Sequence, residues 1–211
     1  MFIQLIFTIN YESAKSNSAN IFSTSPIAIN IYVKGPYKLV IKQLYSCNPT
    51  KNNKIQYNWY LSHKDNTTFI YGNVTQVIPF DDTLSLEVKM ALKDSLGRWK
   101  ENSFMQKWTK ACSFVKQIAG KAWPEISFGL GLNTTDCPIP ANFYDARGVD
   151  ISIIKNTNVP KSFLYGTYRF NVYYTKKNEI YGCQICILEY RNEMESLLFD
   201  LIVAETMVIL D

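Results

Sequence analysis

Histidine is almost missing from this chain: its 211 residues hold one, His63. That count excludes a histidine-rich metal site, and any Ser-His-Asp or Cys-His enzyme would have to be built on this residue. The run Ser62-His63-Lys64-Asp65-Asn66 is polar and reads as a turn, so His63 is expected to be a solvated loop residue. Glycine is scarce too, nine residues against fourteen tyrosines and twelve phenylalanines. That balance favours strands and a large apolar interior. No charge-free apolar run reaches the length of a membrane-spanning helix. Charged residues make up only 19%, and a net charge of +4 is too small an excess to point to nucleic acid. What the chain does have is apolar surface: 47% hydrophobic residues can bury a real core, which rules out a disordered chain. The length suits one sizeable domain with extensions.

The charge is unevenly spread. Residues 192–211 hold five acids (Glu193, Glu195, Asp200, Glu205, Asp211) and no base, which leaves +9 on residues 1–191. This stretch is otherwise apolar and reads as an acidic-apolar tail; the alternative is an amphipathic helix on Leu197, Leu198, Leu201 and Val208. Residues 1–33 read as an N-terminal extension. They open with MFIQLIFTI, the length of a short signal-peptide core, but no basic residue precedes it and Ser13-Ala14 is a weak cleavage site. Between the two, residues 34–191 contain neither a repeat nor a long linker and read as one domain.

Three N-glycosylation sequons begin at Asn66, Asn73 and Asn133, each in a polar, turn-like stretch; Asn48-Pro-Thr is blocked by its proline. Five cysteines (Cys47, Cys112, Cys137, Cys183, Cys186) fit two disulfides and one spare thiol. Both features lean towards the secretory route.

The apolar periodicity is mostly that of strands. Over Thr83–Leu92 the residues Leu84, Leu86, Val88, Met90 and Leu92 fall on one face, with Ser85, Glu87 and Lys89 on the other. Gly166–Thr175 repeats the pattern with Tyr168, Phe170, Val172 and Tyr174, and Tyr37–Cys47 with Tyr37, Leu39, Ile41, Tyr45 and Cys47. Shorter strands are expected at Ile55–Leu61, Val74–Phe80, Val149–Ile154 and Ile180–Tyr190. About seven strands separated by turns predict a mostly β fold, a β-sandwich. One insertion differs. Phe104, Trp108, Cys112, Val115 and Ala119 are spaced as on a helix, with Gly120 as its stop and Lys107, Lys110, Ser113, Lys116 and Gln117 on the opposite, solvated face.

Several motifs imitate chemistry. Cys183-Gln-Ile-Cys186 has redox or zinc spacing, but on a β-branched, aromatic strand its two sulfurs point to opposite faces. Parity suggests instead that Cys47 and Cys183, both on apolar strand faces, pair across a sandwich, and that Cys112 on the helix pairs with Cys137; Cys47–Cys186 remains an alternative. Asp81-Asp82 fits turn chemistry better than acid–base catalysis. Gly129-Leu-Gly131 lacks a phosphate-loop context, and nothing assembles a nucleophile, a base and an oxyanion site, so no catalytic residue is assigned.

The last third carries a more specific arrangement: Asp136-Cys137-Pro138-Ile139-Pro140, then Phe163-Leu164-Tyr165-Gly166-Thr167-Tyr168-Arg169, then Gly182-Cys183. It resembles the ML lipid-recognition superfamily, especially its ganglioside-activator branch, and related arthropod secreted proteins of unknown function. There a Cys-Pro turn leads into a strand, a Gly-x-Tyr-Arg segment opens the penultimate strand, and Gly-Cys closes the domain. The resemblance spans about residues 34–191. It implies an immunoglobulin-like two-sheet sandwich opened into an apolar cup, with one or two short helices inserted. It also implies lipid binding and presentation without catalysis or cofactor, and the pairs Cys47–Cys183 and Cys112–Cys137. Cys186 and both terminal extensions depart from the pattern, and two bridges of the activator branch have no counterpart.

The expectation is therefore a lipid-binding protein, secreted or lysosomal, with a fatty acyl chain, phospholipid, sterol or glycolipid as cargo. Aromatics near the helix and its following loop are the candidates to line the cup: Phe104, Trp108, Phe114, Trp123, Phe128, Phe143 and Tyr144, with Phe163 and Tyr165 at its entrance. Lys107, Lys110, Lys116 and Lys121 could attract an anionic head group or membrane surface. A receptor or acceptor protein is the other expected partner; nucleic acid is not. The alternative is an extracellular interaction module or accessory subunit with a closed cavity.

Overall fold

The alternation of residues 83–92 and 166–175 becomes the centre of the fold. In the computed structural model, which describes residues 34–47, 53–64 and 67–193, strands β4 (Ser85–Lys93) and β8 (Gly166–Lys176) pair antiparallel. Val88 lies opposite Val172 and Met90 opposite Phe170. On the far side of β8 follow β9 (Glu179–Asn192), β1 (Lys34–Ser46) and the short β7 (Ser162–Leu164); β5 (Trp99–Trp108) flanks β4. A second group consists of β2 (Ile55–Lys64), β3 (Thr67–Gln76) and β6 (Asn142–Asp150). Among the described residues one parallel bridge, Ile55 to Gly182, joins the two groups.

The fold is mostly β and its core is shared between the groups. Ile55, Tyr57, Val74 and Tyr144 of the second group cluster with Leu84 and Leu86, against which Val88, Val172 and Tyr174 of the first group pack. That is how the two half-apolar strand groups remove their inner faces from water. Burial raises the Tyr57 and Tyr174 hydroxyls above the usual phenol range, Tyr174 to about 12.

Two short helices sit between β5 and β6: α1 (Ala111–Ala119) and α2 (Trp123–Gly129), separated by a single 3-10 turn. The helix expected from Phe104 onward thus begins seven residues late, and Phe104 and Trp108 belong to β5. An interval of four suits both a strand face and a helix face, so this pair could not separate the two. Lys107 consequently lies on the strand, and Lys110 occupies the N-cap position with φ 58°.

Helix α1 has no side-chain cap at that residue. Instead Asp82 accepts hydrogen bonds from the Ser113 N–H (2.8 Å) and hydroxyl (2.6 Å). At the other end the Asn158 backbone and side-chain amides donate to the carbonyls of Ile118 (2.8 Å) and Gln117 (2.7 Å). Gly120 ends the helix as expected, with φ 56°, a conformation side chains disfavour. The Cys112–Cys137 disulfide, the Lys116–Asp136 ion pair (2.8 Å) and the Trp123 indole donating to Thr135 O (2.7 Å) fasten the helices to the following loop.

Both expected disulfides are present, but Cys47–Cys183 does not cross a sandwich. Ser46 is in register with Gln184, so the two cysteines are neighbours on adjacent strands, with Cα atoms 5.5 Å apart. The face assignment of β9 also reverses. Register sets Cys186, Leu188 and Tyr190 beside Phe170, Tyr168 and Gly166 on the inner side, and Cys183, Ile185 and Ile187 on the other. In β1 an extra residue at Lys42, between the pairs Ile41–Leu188 and Gln43–Ile187, switches parity, and Tyr45 is exposed rather than inward.

Other boundaries moved. Of the strand expected at Val149–Ile154, the first two residues close β6, and Ile151–Asn156 form a 3-10 turn capped by Asp150, whose carboxylate accepts from the Ser152 N–H. β3 ends at Gln76, and Phe80 makes an isolated bridge with Ile139. His63, expected in a loop, lies near the end of strand β2's ladder opposite Thr68, exposed and 2.9 Å from its hydroxyl. Asn73 also lies within a strand, the middle of β3, rather than in a turn, and accepts a hydrogen bond from Asn58. Asn133 is exposed in a loop; Asn66 lies outside the described residues. So do the expected N-terminal extension and the expected tail from residue 194 on. Asp81 makes the turn, accepting from the Thr83 amide and hydroxyl.

Candidate functional site

The inner face of the larger group ends in a cleft of about 170 Å³. Its floor and walls follow from period two. Val88 and Met90 project from β4, Phe104 and Trp108 from β5, Phe170 from β8, Tyr190 from β9 and Tyr37 from β1. Val159, Pro160 and Phe163 close the remaining side. The polar atoms these side chains bring are the two tyrosine hydroxyls and the Trp108 indole nitrogen.

Aromatic packing fixes this end. Tyr190 meets Tyr37 edge-on (4.7 Å between ring centroids) and stacks on Phe163 (4.3 Å), while Tyr168 stands edge-on to both Phe163 and Tyr190. The Tyr37 hydroxyl donates to Pro160 O at 2.6 Å, holding the 159–160 segment over the cleft. Trp108 stacks on Phe114 of α1 at 4.6 Å. Burial raises the Tyr37 and Tyr190 hydroxyls, and for Tyr190 the neighbouring Tyr37, Cys186 and Tyr168 add to the effect. Cys186 belongs to neither disulfide, and desolvation pushes its thiol up to about 12.

Of the nine aromatics expected to line a cup, the cleft gathers Phe104, Trp108 and Phe163. Phe114 is one shell behind, against Trp108. Trp123 and Tyr144 are core residues, 4% and 3% exposed, each with its polar atom bonded to a backbone carbonyl. Phe128 and Phe143 are exposed, with the Arg147 guanidinium 4.3 Å above the Phe128 ring. Tyr165 donates to Pro36 O at 2.9 Å, tying β7's end to the start of β1. Lining residues absent from that expectation include Tyr37, Val88, Met90 and Phe170. All four stand on strand faces whose alternation is plain in the sequence. Val159 and Pro160 carry no periodic signal.

The residues that line the cleft are aliphatic and aromatic, and none of them is charged. Among the described residues no three His, Cys, Asp or Glu side chains are placed to hold a metal ion. Two disulfides indicate folding in an oxidising compartment. No helix among the described residues is long and apolar enough to cross a membrane. No protein-family model and no curated protein matches the chain.

Proposed function

We propose that this protein is a secreted, non-enzymatic lipid-binding domain that holds one end of an apolar chain in the cleft between β4, β5, β8, β9 and β1. The observation that carries the proposal is the chemistry of that cleft, which is lined by aliphatic and aromatic side chains and by no charged one. Each methylene removed from water there contributes about 0.8 kcal/mol. The volume limits the cargo. A dry cavity of about 150 Å³ takes one benzene ring, so about 170 Å³ accepts a short acyl segment or a ring, not a whole long chain. The resemblance of the Cys-Pro, Gly-x-Tyr-Arg and Gly-Cys segments to the ML superfamily supports the same reading, with an immunoglobulin-like sandwich as the finer architecture and the secretory route or lysosome as the compartment.

The test is native mass spectrometry of the protein secreted from eukaryotic cells, followed by titration with a fluorescent fatty acid. Stoichiometric lipid, and loss of probe uptake in a folded Val159→Trp variant that plugs the cleft, are expected. An empty protein that takes up no probe refutes the proposal. That outcome belongs to a second reading, an extracellular interaction module with a closed cavity, which the modest cleft volume favours.

A further inference from the structure

The Gly166-Thr167-Tyr168-Arg169 segment serves two faces. Tyr168 turns inward to the rings around the cleft, while Thr167 and Arg169 turn to the opposite face of the same sheet. A second depression, about 500 Å³, lies there. It is lined by Lys42 and Gln43 from β1, Lys93 from β4, Trp99 from β5, Thr167 from β8, and Ile187 and Glu189 from β9. Both of its rims are irregular strands. On one side the unpaired residue of β1 is Lys42 itself, turned beside Gln43. On the other, Ala91 of β4 faces three residues of β5, Glu101 to Ser103, with Asn102 at φ 51°. Bulges of this kind re-aim side chains and cluster beside binding sites.

At the centre stands Trp99. The Arg169 guanidinium lies 5.0 Å and the Lys93 ammonium 5.8 Å from its ring centroid. Arg169 is oriented by Glu101, which takes both hydrogen bonds (2.6 and 2.7 Å) from the single nitrogen Nη2. Glu189 is shared by Lys42 and Arg191, each at 2.8 Å. Lys93 has no carboxylate partner among the described residues. Of the charged residues that line the depression, Lys42 and Lys93 stand against Glu189, and the local excess is positive.

We infer that this outer depression binds an acidic saccharide, a sugar ring bearing a carboxylate or sulfate, with the anion at Lys93 and the ring against Trp99. A bare inorganic anion would leave the indole and Ile187 unused, whereas a ring with hydroxyls meets the indole, the Gln43 amide and the Thr167 hydroxyl together. A volume of about 500 Å³ falls in the range of small-ligand sites. The inference does not rest on the apolar cleft, which lies on the other face.

The test is calorimetric titration of the whole protein with a sulfated uronic-acid tetrasaccharide, with its neutral desulfated and carboxyl-reduced counterpart, with inorganic sulfate, and with anionic phospholipid vesicles. Saturable binding of the tetrasaccharide alone is expected, weakening with salt. It is expected to fall about tenfold in Lys93→Gln and in Trp99→Phe, and to be unchanged in Lys64→Gln. Fatty-acid probe uptake should be the same in all variants. Absence of binding, equal binding of inorganic sulfate or of the neutral sugar, binding by vesicles but not saccharide, or insensitivity to both site substitutions would each overturn it.

Discussion

Replacing Cys112 and Cys137 by alanine removes a cross-link that closes 25 residues, while replacing Cys47 and Cys183 removes one that closes 136. In the chain-entropy model the first costs about 3.5 kcal/mol and the second about 5 kcal/mol, because the longer loop withholds more freedom from the unfolded chain. The native state points the same way. Without its disulfide, α1 keeps Asp82 at one end, Asn158 at the other and the Lys116–Asp136 pair beside the lost bridge. Strand β1 likewise keeps its ladder with β9 on both sides of the bulge. Neither removal should therefore unfold the protein's described domain outright, and the unfolded-state term should dominate both. Urea unfolding followed by tryptophan fluorescence gives the two free energies and the slope of each transition. A larger loss for the Cys112–Cys137 pair than for the Cys47–Cys183 pair would refute the reasoning. It would mean that the bridge holds α1 in place in the folded state more than it restrains the unfolded chain.

Three further outcomes are expected. Asp82→Ala should cost about 1 kcal/mol, the usual worth of a helix cap. Because the Ser113 hydrogen bonds hold the Asp82 carboxyl below its ordinary range, its contribution is present above the unfolded value and is lost as pH falls through the folded one; urea melts at pH 7 and pH 3 should show a gap between wild type and variant that closes in acid. Cys186 should react with a disulfide reagent at pH 8 far more slowly in the native protein than after unfolding; equal rates contradict the raised thiol. The same raised thiol stabilises the fold fully below its unfolded value and less as pH climbs towards about 12. Finally, Asn133, exposed in a loop, should carry a glycan in protein from secretory cells, read as a mass shift of its peptide that Asn133→Gln abolishes.

Strands were legible wherever one face met the core and the other met water. Leu84 to Leu92 and Tyr168 to Tyr174 alternate because of this, and the structure places them as read. β9 was legible as a strand but not in its orientation, because both of its faces carry apolar residues: Leu188 and Tyr190 towards the aromatic end, Cys183 and Ile187 towards the disulfide and the outer depression. The more apolar-looking face was the outer one. β5 was hidden by an even spacing that serves two periods, and the parity switch at Lys42 by a bulge that leaves no mark in composition. Both cysteine pairs could be read, yet the geometry of one could not, since neighbouring strands and facing sheets offer the same parity. The cleft was half legible. Phe104, Trp108 and Phe163 stood among the expected aromatics, but the strand residues beside them read only as core, and the 159–160 segment comes into place through one hydrogen bond from Tyr37.

The bond between Cys47 and Cys183 also decides how this domain carries tension. β1 and β9 run antiparallel, and their outer ends meet at Tyr37 and Asn192. A pull applied to those ends opens the ladder one rung at a time, as a zipper, until it reaches the sulfurs. There the load passes from one strand to the other through a covalent link, and the 136-residue stretch between them is bypassed. Everything that forms the apolar cleft except Tyr37 and Tyr190 lies inside that bypass. In an oxidising compartment the bond thus caps how far the domain can be drawn out, at the two strand lengths it leaves outside, and a reductant removes that cap.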